Sequence, residues 1–234
     1  MSYADIAAGA IFIAAWLVYE PMLRQRVGGH GAINVDMPAI REAWMRRFVA
    51  RENRIADSNL LGHQLSSASF FASTNLLLIA AAAGLLFGGA DMLAAMRHLM
   101  IVAAAPDWLI EAKIALILAT LTKGFFDFVW SIRQMNYALA LFGGAPERDQ
   151  IEHHEDFVRA AVQIINPAYA AFNKGVRTYY FSLAAAAWIV SPWAMIAAVL
   201  GAVLVLWRRQ TNSETAIGLR QARTLFEAMQ RRPD

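Results

Sequence analysis

The sequence predicts an all-α protein, a polytopic helical bundle that lies in a membrane. Hydrophobic residues make up 58% of the 234-residue chain and charged residues only 17%, whereas a soluble domain has about 45–50% and about 25%. Apolar stretches also recur along the chain, and several have about the 20 residues that a helix needs to cross a bilayer. We therefore predict one transmembrane domain over residues 1–210 and a tail helix over residues 211–234. The five predicted spans lie at about residues 5–23, 66–87, 109–130, 170–190 and 193–208.

The first predicted span has no lysine or arginine before its apolar run, and Arg24 and Arg26 follow it instead. A cleaved secretory signal begins with positive charge. We therefore expect this segment to remain as a span, with the N-terminus outside the cell. The second span ends at Gly88-Gly89, and its inner half holds small polar residues that allow close helix packing.

Residues 109–142 predict one continuous helix of roughly 51 Å, which exceeds the roughly 30 Å hydrocarbon layer of a bilayer. Asp107 is suited to cap this helix and Gly143 to end it. We expect its last four turns to continue into the cytoplasm. The helix carries Lys123 and Asp127 four residues apart, where a spanning helix is normally apolar.

The number of spans depends on Ser191-Pro192. These residues form either a tight turn between two spans, which gives five, or a kink at Pro192 in a single last span, which gives four. Lysine and arginine concentrate on the cytoplasmic side of membrane proteins. Five spans place the basic flanking segments inside and leave Arg97 alone in an outer connection, whereas four spans place the basic tail outside. We therefore favour five spans in a multi-pass protein of the cell membrane, with a cytoplasmic tail.

Three segments are predicted to form cytoplasmic amphipathic helices. The first covers residues 38–61, begins at Asp36-Met37-Pro38 and surrounds an aromatic stripe with arginines, so it lies either on the membrane surface or against the protein itself. The second covers residues 146–165, and a new helix is expected to begin at Asn166-Pro167. The third is the tail helix, which covers either these helices or a second subunit.

Four polar residues recur at one depth in the predicted spans, roughly 18–23 Å below the outer surface, and Asp127 and Asn173 lie about a turn deeper. The four are Glu20, Asn75, Lys123 and Arg177. A charged group at such depth costs at least about 2.5–3.5 kcal/mol unless it pairs or meets water. This polar layer forms either a pocket that opens to the cytoplasm and holds an ion, an anionic solute or a lipid head group, or a charge network that joins the helices. The candidate pocket residues are Glu20, Asn75, Lys123, Asp127, Arg133, Asn136, Asn173 and Arg177.

Other chemistry finds little support in the sequence. His153 and Asp156 are weak metal candidates, because two ligands do not make a site and the adjacent His154 points about 100° away on a helix. The chain has no cysteine, which excludes disulfides and thiolate chemistry. It has no phosphate-binding loop and no nucleophile with a partnered base. We expect no cofactor and no nucleic acid partner, and an enzyme is the least favoured function.

Four stretches together resemble a known membrane family, domain of unknown function 599, which occurs in bacteria and plants. They are WMRRFVARENRIADSNLL at residues 44–61, FFASTNLLLI at 70–79, KGFFDFVWSIRQMNY at 123–137 and NKGVRTYYFSLAAAAW at 173–188. The resemblance covers most of the chain, from about Tyr3 to Arg209. It implies a multi-span membrane protein and no particular catalytic activity. Most residues of the predicted polar layer fall within these stretches.

Two functions of different classes are compatible with this sequence. The first is binding or transport of a small ion, solute or lipid at the polar layer. The second is a structural or accessory role in a membrane assembly, with the long helix and the tail as docking surfaces. The expected partners are the lipid bilayer and either a second copy of the chain or another membrane protein.

Overall fold

The computed structural model describes residues 2–26, 32–89 and 105–230, and these residues form helices and no strand. This confirms the predicted all-α class. A short 3-10 turn at Ile151–His153 precedes the fifth helix. The helices are α1 Tyr3–Arg26, α2 Ile33–Ala50, α3 Ile55–Phe87, α4 Asp107–Gly143, α5 His154–Val190, α6 Pro192–Thr211 and α7 Glu214–Gln230.

The long central helix is confirmed. Helix α4 has 37 residues, from Asp107 to Gly143, and therefore a length of about 55 Å. Helix α5 also has 37 residues and runs through Pro167, so the predicted new start at Asn166-Pro167 is wrong. The amide side chain of Asn166 does not cap a helix there but accepts a hydrogen bond from Arg41.

The predicted surface helix over residues 38–61 is two helices. Helix α2 begins at Ile33, earlier than predicted, and ends at Ala50, because Arg51 has extended backbone angles of −86° and 142°. Helix α3 begins at Ile55, whose amide donates to Asn53 Oδ1 at 3.0 Å. The helix that contains the second predicted span, residues 66–87, therefore begins eleven residues before that span.

Ser191 separates α5 from α6. Its Oγ accepts a hydrogen bond from the amide of Ala194 at 3.0 Å, as the N-cap residue before a new helix does. Pro192 is the first residue of α6, where its missing N–H has no cost. The helix is therefore interrupted at the predicted position, and a turn between two spans rather than a kink stays a prediction.

Two helical stretches are long and apolar enough to cross a membrane, by length and composition alone. They are Ile55–Phe87 and Pro192–Met229, and a shorter apolar helix covers Tyr3–Tyr19. In the most apolar windows of the two long stretches, only 17% and 11% of the residues are buried.

The chain divides into two compact units. The first unit comprises Met1–Leu23, Phe71–Phe126 and Lys174–Leu206, and the second unit comprises Arg24–Phe70, Asp127–Asn173 and Trp207–Asp234. In the first unit, Phe12 packs edge-on against Trp16 and Phe181, with ring centres 5.6 and 5.9 Å apart. In the second unit, Phe48 stacks between Phe142 and Phe157 at 4.4 and 5.9 Å.

Candidate functional site

Asn75 is the most deeply buried of the predicted pocket residues that the structure describes, at 1% exposed. Its Nδ2 donates to the backbone oxygen of Leu121 at 2.7 Å, so it joins α3 to α4. Its Oδ1 is buried and has no hydrogen-bond partner among the described residues. A buried amide oxygen normally has a partner, and this atom is therefore the most unusual polar group of the predicted layer.

Gly124 brings α4 very close to α5 beside Asn75. A Cβ at this position would lie 2.9 Å from Thr178 Cγ2 and 3.3 Å from Asn75 Nδ2. Only glycine fits such an approach without moving a neighbour. Asn75, Gly124 and Thr178 therefore mark one tight crossing of three helices in the first unit.

The cations of the predicted layer in the first unit lie next to this crossing in sequence. Lys123 precedes Gly124 and is exposed on α4, whereas Arg177 precedes Thr178 and is half-buried. The Arg177 guanidinium lies 5.5 Å from the ring centre of Tyr19 on α1. The side chain of Glu20, an acid of the predicted layer, lies outside the described residues.

The other predicted pocket residues belong to the second unit. Asp127 is half-buried and Asn136 is exposed on α4. Arg133 Nη2 donates to Tyr137 Oη at 3.1 Å on the same helix. Asn173 Nδ2 donates to Asn34 Oδ1 at 3.0 Å. A single pocket that contains all eight residues stays a prediction.

The weak metal candidates have other neighbours. His153 Nε2 lies 3.7 Å from Glu152 Oε1, and Asp156 Oδ1 lies 3.5 Å from Arg159 Nη2. Within residues 2–26, 32–89 and 105–230, no three His, Cys, Asp or Glu side chains are placed to hold a metal ion.

A buried arginine in the second unit was not predicted. Arg41 on α2 is 7% exposed, donates to Asn166 Oδ1 at 3.1 Å and lies 4.2 Å from the ring centre of Tyr169. Burial lowers the pKa of Arg41 to about 10. The signal was present, since Arg41, Met45 and Phe48 follow the helical spacing of a single face.

The tail helix α7 docks on α2 through a buried ion pair. It therefore covers another helix of the same chain, which is one of the two predicted alternatives. Arg223 Nη1 donates to Asp36 at 2.9 Å, and Arg223 Nε donates to Glu227 at 2.7 Å. Hydrogen bonds to Glu227 and then to Asp36 raise the pKa of Arg223. Asp36 is 1% exposed, and its Oδ2 has no hydrogen-bond partner among the described residues.

A cavity of about 310 Å³ lies among α2, α5 and α7 in the second unit. We call it the tail cleft. Its polar lining comes from Glu42, Asn166, Arg223 and Glu227, and Val162 and Phe226 contribute apolar surface. The sequence gives no direct sign of it, because its residues come from three segments far apart in the chain.

Asp57 forms a second buried polar centre in the second unit. It lies in the first turn of α3, is fully buried, and accepts hydrogen bonds from Trp44 Nε1 at 2.7 Å and Arg51 Nη1 at 2.5 Å. Nearby, Arg54 Nη2 donates to the backbone oxygens of Val49 and Pro146 at 3.1 and 2.7 Å. These contacts hold the break between α2 and α3 in place.

A third unpredicted group lies in the first unit. Asp5 Oδ1 accepts a hydrogen bond from Trp188 Nε1 at 3.0 Å, and Lys113 Nζ lies 5.7 Å from the Trp188 ring centre. All three side chains are buried. This group joins α1, α4 and α5.

Comparison with known proteins gives a family and no function. No curated protein and no solved structure matches the sequence. The family described as "Protein of unknown function, DUF599" matches residues 7–215, which is most of the chain and agrees with the resemblance in the sequence motifs. The chain therefore belongs to the DUF599 family.

Proposed function

We propose that this chain is an integral membrane protein that binds or transports a small ion, solute or lipid head group at its polar layer. The membrane part of this proposal rests on the surface of α3. This helix is long and apolar, yet Phe70, Leu77 and Phe87 are 67%, 72% and 79% exposed. A helix this apolar is normally buried in a soluble protein, and a large exposed apolar face fits a lipid environment.

The proposed topology has five spans, with the N-terminus outside and the tail in the cytoplasm. The basic residues Arg208 and Arg209 occupy the last turns of α6, where the positive-inside rule favours the cytoplasm. Trp193 is 71% exposed at the start of α6, and tryptophan is enriched at membrane interfaces. This arrangement makes Ser191-Pro192 the outer turn between the last two spans.

Single cysteines test this topology, since the chain has none of its own. We expect Tyr3→Cys to react with an impermeant maleimide in intact cells, because Tyr3 is 93% exposed and is proposed to lie outside. Asn212→Cys, in the exposed turn between α6 and α7, is expected to react only after the cells are permeabilised. The chain without cysteine is the control, and labelling of Asn212→Cys in intact cells would favour four spans.

The binding part of the proposal rests on Oδ1 of Asn75, which has no hydrogen-bond partner within the part of the chain that the structure describes. A ligand donor, a hydrated ion or a bound water would satisfy this atom. Lys123 and Arg177 precede Gly124 and Thr178 in sequence, so the two helices of this crossing each carry a positive charge within one residue of it. Charges within a membrane commonly mark a site where ions or polar solutes bind. A solute or lipid head group that carries both a hydrogen-bond donor for Asn75 Oδ1 and a negative charge for the two cations therefore fits best.

Mass spectrometry of the protein purified from native membranes tests this site. We expect a small molecule or lipid to copurify with the wild type and to be lost from Lys123→Met. Arg159→Met is the matched control, because it also removes one positive charge but from an exposed position on α5. A species retained by Lys123→Met would argue against binding at the polar layer.

The alternative is a non-catalytic structural or accessory subunit of a membrane assembly. One observation favours it: α7 keeps Ile217, Leu225 and Met229 about half exposed although it is docked on α2. These apolar side chains are available to a second copy or another membrane protein. Stoichiometric protein partners that are retained by both Lys123→Met and Arg159→Met would support this alternative.

A further inference from the structure

The tail cleft carries an inference that is independent of the polar layer. Its volume of about 310 Å³ lies at the lower end of the roughly 300–1,000 Å³ that is typical of small-molecule sites. Three of its residues, Arg223, Phe226 and Glu227, come from α7, and the others come from α2 and α5. We propose that the tail cleft binds a small organic cation, an alkylamine with a short carbon chain.

The charges of the cleft favour a cation over an anion. Two carboxylates, Glu42 and Glu227, line it, together with the single guanidinium of Arg223. Arg223 is already shared by two carboxylates, because it donates both to Glu227 and to the buried Asp36. An anion would therefore compete with Asp36 and Glu227 for one guanidinium, whereas an ammonium adds a positive charge to an acidic wall.

The contacts of Glu42 also favour a positively charged ligand. It accepts a hydrogen bond from Arg46 at 2.9 Å, and Arg46 also pairs with Glu155. This second arginine is thus also shared by two carboxylates. Among the described residues that line the cleft, the two carboxylates of Glu42 and Glu227 outnumber the one guanidinium group of Arg223.

The apolar residues of the cleft indicate the uncharged part of the ligand. Val162 and Phe226 line the cleft beside the acidic groups, so a short alkyl chain has apolar surface to cover. An aromatic ring also attracts a cation that lies over its face. A small amine with a butyl-sized chain therefore fits the cleft in charge, polarity and volume. Since α7 forms one wall, a bound amine stabilises the docked tail.

Calorimetric titration of the purified full-length protein in detergent tests this proposal with three probes of equal chain length. We expect n-butylamine to bind at neutral pH, and 1-butanol and butyrate to bind at least about tenfold more weakly or not at all. Tighter binding of butyrate would overturn the proposal in favour of an anion at Arg223. Equal binding of butanol would show an apolar cleft without charge selection, and no binding of any probe would also overturn it.

Three variants locate the site. Glu42→Gln on α2 and Glu227→Gln on α7 are each expected to weaken butylamine binding at least about tenfold. Glu214→Gln, at the start of the same tail helix and away from the cleft, is the matched control and is expected to bind as the wild type does.

If Glu227→Gln loosens the tail, Glu42→Gln still decides whether the cleft is the site, because it leaves the Arg223–Asp36 pair intact. Unchanged binding in Glu42→Gln would place the amine elsewhere. The expected binding is also unchanged in Lys123→Met, which separates this site from the polar layer.

Discussion

Replacing Asp57 by alanine is expected to destabilise the second unit by about 2–4 kcal/mol. The substitution removes the acceptor for two charge-assisted hydrogen bonds, from Trp44 and Arg51, and such bonds contribute about 1.5–3 kcal/mol each. It also leaves a small cavity where a fully buried carboxylate stood. The break between α2 and α3 loses its main side-chain tie. Thermal unfolding in detergent, followed by far-UV circular dichroism, measures the change.

Asp156→Ala is the matched control for Asp57→Ala. Asp156 also faces an arginine, but the pair is 3.5 Å apart and both side chains are more than 70% exposed. An exposed pair contributes about 0–1 kcal/mol, so we expect almost no change in stability. If the two alanine variants unfold alike, Asp57 does not hold the α2–α3 break.

Gly124→Ala is expected to destabilise the first unit by about 1–3 kcal/mol, the usual result of overpacking a close contact. The new Cβ would lie 2.9 Å from Thr178 Cγ2, so α4 and α5 must move apart. This movement would also strain the hydrogen bond from Asn75 to Leu121. Unfolding by a denaturing detergent in mixed micelles, followed by tryptophan fluorescence, measures the loss.

Two further variants test the cause. Gly84→Ala on α3 introduces the same methyl group where no atom lies within 4 Å, and it is expected to be neutral or slightly stabilising, since alanine is the better helix former. Thr178→Ser removes Cγ2 and keeps the hydroxyl group, so it is expected to restore part of the stability of Gly124→Ala. Additive effects of Gly124→Ala and Thr178→Ser would mean that the two side chains do not meet.

Local signals in the sequence predicted the long helix and the helix break. Helix α4 follows from an apolar run between Asp107 and Gly143, and the break at Ser191 follows from a capping serine before proline. Both depend on neighbouring residues alone. The all-α class likewise follows from the long apolar stretches of the sequence.

Tertiary contacts decided the elements that the sequence pattern predicted wrongly. The pattern over residues 38–61 is helical throughout, but Arg54 bonds carbonyl oxygens of Val49 and Pro146 and so stabilises a break. Asn166 would cap a helix if it were free, but its amide oxygen accepts from Arg41, 125 residues earlier. No local pattern shows such a partner.

In the candidate sites too, the sequence predicted some features and tertiary contacts decided the others. The spacing of polar residues along apolar helices pointed to Asn75, which is buried and whose Oδ1 has no partner among residues 2–26, 32–89 and 105–230. The depth of a residue in a helix does not reveal which neighbour it meets, so Asn173 and Arg133 could not be assigned to Asn34 and Tyr137. The tail cleft needed three distant segments to be brought together, and only the fold does that.

The docking of α7 on α2 has a consequence for the order in which the protein is made. Asp36 and Arg223 are 187 residues apart in the chain, and translation at about 5–20 residues per second separates them by about 10–40 s. During this interval the carboxylate of Asp36 has no guanidinium from the tail and must remain hydrated. The backbone N–H of Asn34 donates to Oε1 of Gln210, which lies 176 residues later in the chain. This hydrogen bond is delayed in the same way. The second unit therefore reaches its final packing only after residue 223 has left the ribosome, and α2 is open to a chaperone throughout this interval.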